Sequence, residues 1–556
     1  MDAPEHSPAR PSVDPANTAS RSAPPWPLIA AVVIAFLSIV LLRATGPSDL
    51  WDQTQPRTIA YTADILVRGG NAWVLAQDAD GFPATKPPLY NWLAAPFVAI
   101  AGRESEFAHR FPSVLAALAT AGLLVWWGER LAARGRLGGV RGMGWLAALA
   151  WLAMFPTIKL GYLARPDMLL CLVLFIGWWA ATRAIAFRRD GSGERPGIAN
   201  AMTFWLMFAL AAWTKGPVAV CLLAYPPLLA LVLERSLAPL ATLRPMLFAL
   251  PAMMLAGLWY ALAAWIDPAH FRQTLVYGEV VGRVTGNGPE GGGDGPKAIL
   301  LGLPVMPMYF VARFAPWSIA SLLGFVALFG RETTDQPRPK RWRSSPDHAV
   351  LLGALLWTAL LVALFSLSSG KRADYIAPVY APAALVAAWW LLGDRFSPIR
   401  SRPWIAALVA LVAIAIHAAV DRRGTVLPRE TMDLVASIAE RAIEARERTG
   451  MPLIVVAPQL PHVAVVASTV APRDNSMDGV RAALAAGGGA LVLVGTKAMP
   501  GAIASMIEDG QAMERWRIDL PDDARPAGIT HPLRLIEIRA TRSAAESGGA
   551  ERPLNP

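Results

Sequence analysis

Apolar residues gather along this chain into runs of about 17 to 22 positions, the length that a helix needs to cross a bilayer core. Runs fall near 26–42, 111–128, 142–158, 167–187, 200–213, 217–233, 246–265, 315–330, 349–367, 376–393 and 403–420. They predict about eleven membrane-crossing helices. Loops with Arg130, Arg134, Arg136 and Arg141, with Arg183, Arg188, Arg189 and Arg195, and with Arg235 and Arg244 follow alternate runs. So do the loops Arg338 to Arg343 and Arg395 to Arg402. Short basic loops stay in the cytoplasm, which places the N-terminus inside and, after an odd number of crossings, the C-terminal part outside.

Some apolar stretches do not fit a crossing. Residues 298–312 carry Pro304 and Pro307, and counting them would break the alternation, so they are expected to lie at the interface or re-enter before Pro316 and Trp317. The loop 43–110 is long and half apolar. Ile59, Ala63 and Leu66 recur at helical spacing beside Thr58, Asp64 and Arg68, which predicts a helix on the membrane surface. Leu89 to Ala101 is apolar but too short to cross comfortably. Such external juxtamembrane helices form a platform around a cavity at the bilayer edge.

The two ends read differently. Residues 1–25, rich in Pro, Ser and Ala, are expected to be a disordered cytoplasmic tail. The first run reads as an uncleaved anchor, because the preceding leader is long and no small-x-small cleavage site follows. After residue 424 the pattern changes to a charged helix (Arg429 to Arg448), a short strand at 452–457, a helix at 480–486 and a second strand at 490–495. That order predicts a small external α/β domain over 425–540, with 541–556 a disordered tail. The catalytic membrane domain would be 26–424.

Composition agrees with a membrane protein. The 556 residues are 54% hydrophobic and 17% charged, with mean hydropathy +0.39. The net charge of +10 resides in the short basic loops, which argues against nucleic acid as a partner. Cys171 and Cys221 lie within apolar runs and read as core or lipid-facing residues rather than a disulfide or metal pair.

The remaining unusual polar residues all fall on the external side: Asp52, Arg57, Lys86, Arg165 with Asp167, Lys215, the stretch Asp267 to Lys297, and Lys371 to Tyr375. Charge retained at a helix end facing a shared compartment is a functional candidate. Asp52 has the chemistry of a general base for an acceptor hydroxyl or amine, although loop aspartates usually serve only solvation or capping. Asp167 begins a span, where helix electrostatics alone would favour an acid. Lys86, with its backbone fixed by two prolines, suits an anionic phosphate, and Arg57, Arg165, Arg283 and Lys371 could join it. Headgroup contact is the plainer account of each alone. The Gly-rich stretch 287–295, flanked by His270 and Glu279, lacks the lysine and hydroxyl of a phosphate loop and reads as a flexible lid. A divalent metal on the first-loop acids stays open, with no His/Cys spacing in its favour.

Taken in order, the motifs resemble a family. They are the acidic/amide loop after the first span, Lys-Pro-Pro-Leu-Tyr-x-Trp at 86–92, Phe-Ala-x-Arg-Phe-Pro-Ser at 107–113 and Arg-Pro-Asp-Met-Leu-Leu at 165–170. Thr-Lys-Gly-Pro at 214–217, Pro-Trp-Ser at 316–318 and Lys-x-x-x-Tyr-Ile-x-Pro at 371–378 complete the set. Residues 26–420 thereby resemble the GT-C superfamily of lipid-linked glycosyltransferases, close to the aminoarabinose transferases of lipid A and related to protein O-mannosyltransferases. The resemblance implies inverting transfer of a sugar from a polyprenyl (undecaprenyl) phosphate to a lipid, glycan or protein, on the outer face of a bacterial inner membrane. It implies Asp52 and Asp167 as catalytic acids and Lys86 as the phosphate ligand, supported by Arg57 and Lys371. Gln55, Tyr90, Lys215, Glu279 and Tyr375 are expected at the substrate.

The first loop departs from the family pattern of adjacent Asp and Glu followed, one residue later, by Arg. Alignment through Arg57 puts Gln55 at the glutamate position and displaces Asp52, leaving the identity of the base open. Asp52 is favoured as the single carboxylate there. Two other classes stay in play: a transporter or flippase for a lipid-linked substrate, and an inactive scaffold. Transporters place charge near the midplane and repeat their halves, and neither feature occurs here.

Overall fold

The computed structural model describes residues 25–39, 54–78, 82–103, 105–134, 137, 141–188, 197–281, 302–329, 345–368, 371–393, 399 and 401–425, and in the C-terminal part 440–456, 477–485, 489–495, 503, 505, 512–518 and 533–539. Asp52, Arg283 and the Gly-rich stretch 287–295 lie outside these residues, and Glu279 is described by its backbone alone.

Helices dominate. They are α1 (Trp26–Leu37), α2 (Thr54–Arg68), α3 (Leu89–Ala101), α4 (Glu106–Ala133), α5 (Met143–Ala153), α6 (Phe155–Leu160), α7 (Asp167–Ala186), α8 (Ile198–Lys215), α9 (Val220–Glu234) and α10 (Pro245–Ile266). After them come α11 (Val305–Arg313), α12 (Trp317–Ala327), α13 (Pro346–Ser366), α14 (Tyr380–Leu392) and α15 (Pro403–Thr425). Each of the eleven expected spans falls on one of these helices. Among the described residues, seven helical runs are long and apolar enough to cross a membrane, or eight if a bent pair is counted as one span.

The shorter count has two causes. Helices α1 and α5, of 12 and 11 residues, fall below the crossing length. The run Ile198–Glu234 counts once but contains two passes, as ion pairs show. The start of α7 meets the end of α8 through Asp167 and Lys215 (2.6 Å), while Arg188, just after α7, meets Glu234 at the end of α9 (2.6 Å). Since α7 is 20 residues, about 30 Å, long, α9 must return the chain to the opposite end. The turn uses Gly216 at φ +66°, where a Cβ would also lie 2.5 Å from the Tyr260 hydroxyl.

Polar groups sort by end. One end holds the Arg188–Glu234 pair, Arg134 with Asp347 (3.2 Å), and Glu129 accepting from the amides of Gly142 (3.3 Å) and Gly144 (2.9 Å). The other holds Arg165, Asp167, Lys215 and Asp374. Between them α7 and α14 are buried on nearly every side, as expected of helices apolar all round. Helix α10 buries only a narrow stripe and turns Met246, Leu250, Met254 and Trp265 outward.

Helices α4 and α5 cross closely at Gly128 and Gly144. A Cβ on Gly144 would run into the α4 backbone at Leu124 O and Glu129 N, both 2.9 Å away. Small residues at such crossings let helix backbones approach. Gly144→Leu is therefore expected to force the pair apart at a cost of about 2–3 kcal/mol. Gly122 has open space around its Cβ position, so Gly122→Leu serves as the neutral control. Equal melting temperatures of the two variants in detergent would remove the close crossing from the account.

Helices α11 and α12 are bent by 113° about Phe314 to Pro316, so the segment before Trp317 forms a short helix of its own. Helix α3 has the expected bounds. Helix α2 covers the expected residues, and its polar side is packed against its neighbours. Asn91 of α3 donates to Thr58 O and to Thr62 Oγ1, both at 2.8 Å, and Asp64 takes Arg68 and the amide of Gln77 (2.7 Å). A polar seam thus joins α2 to α3 instead of facing water. Trp92 and Trp259 anchor the following segment through Trp73 O and Val74 O, both at 2.7 Å.

The C-terminal part contains a four-stranded sheet in the order β1-β2-β4-β3: β1 (Leu453–Val456), β2 (Gly489–Gly495), β3 (Ala512–Ile518) and β4 (Leu533–Arg539). Strands β1 and β2 are parallel, joined through a helix at Met477–Ala485, and the β2–β4 and β4–β3 pairs are antiparallel. Ile454, Val480, Val492, Val494, Ile536 and Ile538 form its core. The described part of the expected 429–448 helix spans 440–449.

Candidate active site

The site is built on the turn before α7. Pro166 precedes Asp167, the first residue of that helix. Asp167 is buried, with Arg165 Nε 2.9 Å from one oxygen and Lys215 Nζ 2.6 Å from the other. The far side of Arg165 reaches Asp374, its Nη1 3.5 Å from Oδ2, and Lys159 Nζ approaches the same oxygen at 3.7 Å. Lys215 Nζ also lies 5.1 Å from the centre of the Tyr375 ring. Lys86 is close enough to add its charge to those of Arg165 and Lys215 acting on Asp167. Four cations therefore surround two carboxylates, an arrangement that favours an incoming anion.

Several motif residues hold this turn in place. Gln55 is fully buried, and its Oε1 accepts from the amide of Ala164 (2.8 Å). Ser113 Oγ donates to Leu163 O at 2.6 Å and lies 3.0 Å from Arg165 O. Tyr90, also buried, donates to His109 O (2.9 Å) and touches Ser113 Oγ at 3.0 Å. The Arg165–Asp167 turn is thus supported by α2, α3 and α4 together, and its unpaired carbonyls are satisfied without water. Lys86 follows a segment fixed at Ala84, whose amide donates to Ala76 O (2.7 Å) and whose carbonyl meets His270 Nε2 (3.3 Å).

The residues expected at the site do not all converge. Asp167, Arg165, Lys215, Tyr375 and Lys86 come together. Gln55 and Tyr90 sit beneath the cluster as supports. Arg57 is 63% exposed and lies 3.4 Å from Asp78. Lys371 Nζ donates to Ser366 O (2.6 Å) and Ser368 O (3.0 Å), closing the C-terminal end of α13. Asp52 and Arg283 fall outside the described residues, as does the Glu279 side chain. Two members were not anticipated, Asp374 and Lys159. Asp374 was legible as the acid next to Tyr375 in the last motif; Lys159 lies just past an apolar run and gave no comparable signal. Among the described residues no group of three or more His, Cys, Asp and Glu could hold a metal ion.

Comparison with known proteins bears on the fold. No protein-family model matches the chain. Over 405 residues it is 25% identical to the undecaprenyl phosphate-alpha-4-amino-4-deoxy-L-arabinose arabinosyl transferase of Pectobacterium carotovorum subsp. carotovorum, covering 70% of this chain and 65% of that relative. The match thus spans just under two thirds of the relative's length. In structure it resembles ArnT from Cupriavidus metallidurans bound to undecaprenyl phosphate, with a TM-score of 0.63 at 15% identity, over 92% of this chain and 97% of that one. The same protein in its apo state matches equally, again with a TM-score of 0.63. The chain thus has the fold of ArnT, with several helices long and apolar enough to cross a membrane, and is similar in sequence to an aminoarabinose transferase.

Proposed function

We propose that this protein is an inverting glycosyltransferase that moves a sugar from a polyprenyl phosphate donor to a lipid, glycan or protein acceptor. The observation that carries the reading is the cluster of Arg165, Lys215, Lys159 and Lys86 around Asp167 and Asp374, at one end of an apolar bundle. A donor phosphate arriving along the bilayer meets fixed positive charge there without crossing a midplane. Names of relatives point the same way, since one transfers an aminoarabinose from undecaprenyl phosphate and another binds undecaprenyl phosphate.

In this reading the acceptor oxygen or nitrogen attacks C1 of the sugar and gives its proton to Asp52. The bond from C1 to the phosphate oxygen breaks, and the electron pair leaves on the polyprenyl phosphate, where Lys86 and Arg165 stabilise the added charge. Asp167 has both oxygens engaged by cations, so its part is to hold Arg165 and Lys215 in place. The end bearing this cluster faces outward from a bacterial inner membrane, with the basic end and N-terminus cytoplasmic. The bundle of 26–424 performs the transfer, and the sheet domain of 425–540 faces the same external side.

The test is release of polyprenyl phosphate by purified protein in lipid, given a panel of polyprenyl-phosphate sugars and membrane extract. Release by the native chain and at least a hundredfold less by Asp52→Asn is expected, about the worth of a general base. Full release by that variant would remove Asp52 from the mechanism. No release from any donor would favour the scaffold or transporter instead.

A further inference from the structure

The end of the bundle opposite the carboxylate cluster contains a cleft of about 240 Å3, lined chiefly by Trp127, Arg130, Arg134, Trp179, Arg183 and Phe187. Arg130 and Arg183 come from the last turns of α4 and α7, so the cleft lies at the far end of the helix that begins with Asp167. The length of α7 separates the two places by about 30 Å, the thickness of a bilayer core. They serve different leaflets.

Aromatic rings shape one wall. Trp127 and Trp179 stack with centroids 4.3 Å apart and planes 6° from parallel. Beside them the Arg130 guanidinium sits 4.4 Å from the ring of Trp126, which is half exposed, and that of Arg134 sits 4.4 Å from Phe187. Arg134 also pairs with Asp347. The helix dipole accounts for an arginine at the end of each helix, since cations are favoured there. It does not account for three arginines converging on one cleft whose described lining includes no acid. Exposed indole beside guanidinium is the pairing found at the boundary between acyl chains and headgroups.

We infer that this cleft binds the phosphate of an anionic phospholipid headgroup, in the leaflet opposite the carboxylate cluster. The volume suits a phosphate with its polar substituent, while the acyl chains lie outside along Trp126 and the apolar helix surface. Basic pockets between crossing helices take headgroups in this way. The inference concerns binding alone and stands whether or not the opposite end transfers a sugar.

Lipid binding to the full chain, purified in uncharged detergent, tests it by native mass spectrometry and by melting temperature. Phosphatidylglycerol should bind and raise the melting temperature, and phosphatidylcholine at the same concentration should not. Arg130→Gln and Arg183→Gln should each weaken phosphatidylglycerol binding about fivefold, the worth of one basic residue near a charged headgroup. Arg402→Gln, exposed beyond the start of α15 at a position outside the cleft lining, should leave it unchanged. Equal binding of the two lipids to the native chain would overturn the inference without recourse to any variant. Full stabilisation by inorganic phosphate alone would overturn the lipid assignment and leave a soluble-anion site. Unchanged affinity in both glutamine variants would place the lipid elsewhere.

Discussion

Asp167→Asn is expected to abolish transfer and to destabilise the protein by about 3–5 kcal/mol, the cost of removing one partner from a buried ion pair. The carboxylate sits between Arg165 and Lys215, at 2.9 Å and 2.6 Å. An amide of the same shape leaves two positive charges facing each other in a buried place. Arg165 keeps Asp374, at 3.5 Å, whereas Lys215 keeps the Tyr375 ring, at 5.1 Å. A second substitution, Lys215→Met, should therefore restore about half of the lost stability while activity stays absent. Melting temperature in detergent and polyprenyl phosphate release read the two effects separately. An Asp167→Asn protein with native melting and native turnover would remove this carboxylate from both roles.

The bundle was legible because its signal is long and redundant. A run of twenty apolar residues leaves few alternatives to a crossing helix, and the arginine loops sort the ends independently. Both signals reappear in the structure, where Arg134, Arg183 and Arg188 gather at one end and Arg165 and Lys215 at the other. Short elements were harder. Strands β3 and β4 went unread because Glu514, Arg515 and Arg517, and Arg534, Glu537 and Arg539, interrupt their apolar positions. Strands β1 and β2 present unbroken apolar runs and were found.

The motifs announced that a site exists without dividing labour within it. Tyr90 shares a motif with Lys86, and Gln55 and Ser113 stand in neighbouring motifs, yet their hydrogen bonds support the turn from below. Linear order cannot separate a residue that meets substrate from one that holds such a residue. The partners of α2's polar side were hidden for a related reason. Spacing showed Thr58 and Asp64 on a polar side, and the neighbouring Asn91 of α3 and amide of Gln77 reveal that this side is buried. Asp374 illustrates the converse. It lies 207 positions beyond Asp167, and Arg165 bridges the two.

The comparison of Lys86 with Lys371 turns that distinction into an experiment. Both lysines were assigned to the donor phosphate, and the structure gives them different surroundings. Lys86 adds its charge to the field at Asp167, whereas Lys371 holds the last carbonyls of α13 through Ser366 and Ser368. Lys86→Ala is expected to lower kcat by about 10²–10³-fold, the usual worth of a group aimed at charge developing in a transition state. KM should change less, because the phosphate is already anionic in the bound donor and only its added charge is lost to stabilisation. Lys86→Arg should recover part of the rate, since it restores charge but not the compact ammonium. Lys371→Ala should instead lower the melting temperature and leave kcat within about threefold, as a lost helix-end contact of about 1 kcal/mol would. Steady-state kinetics on the three variants in one lipid preparation decides the matter. A native kcat in Lys86→Ala, or a hundredfold loss in Lys371→Ala at unchanged stability, would exchange the two roles and move the phosphate from the α7 turn to the end of α13.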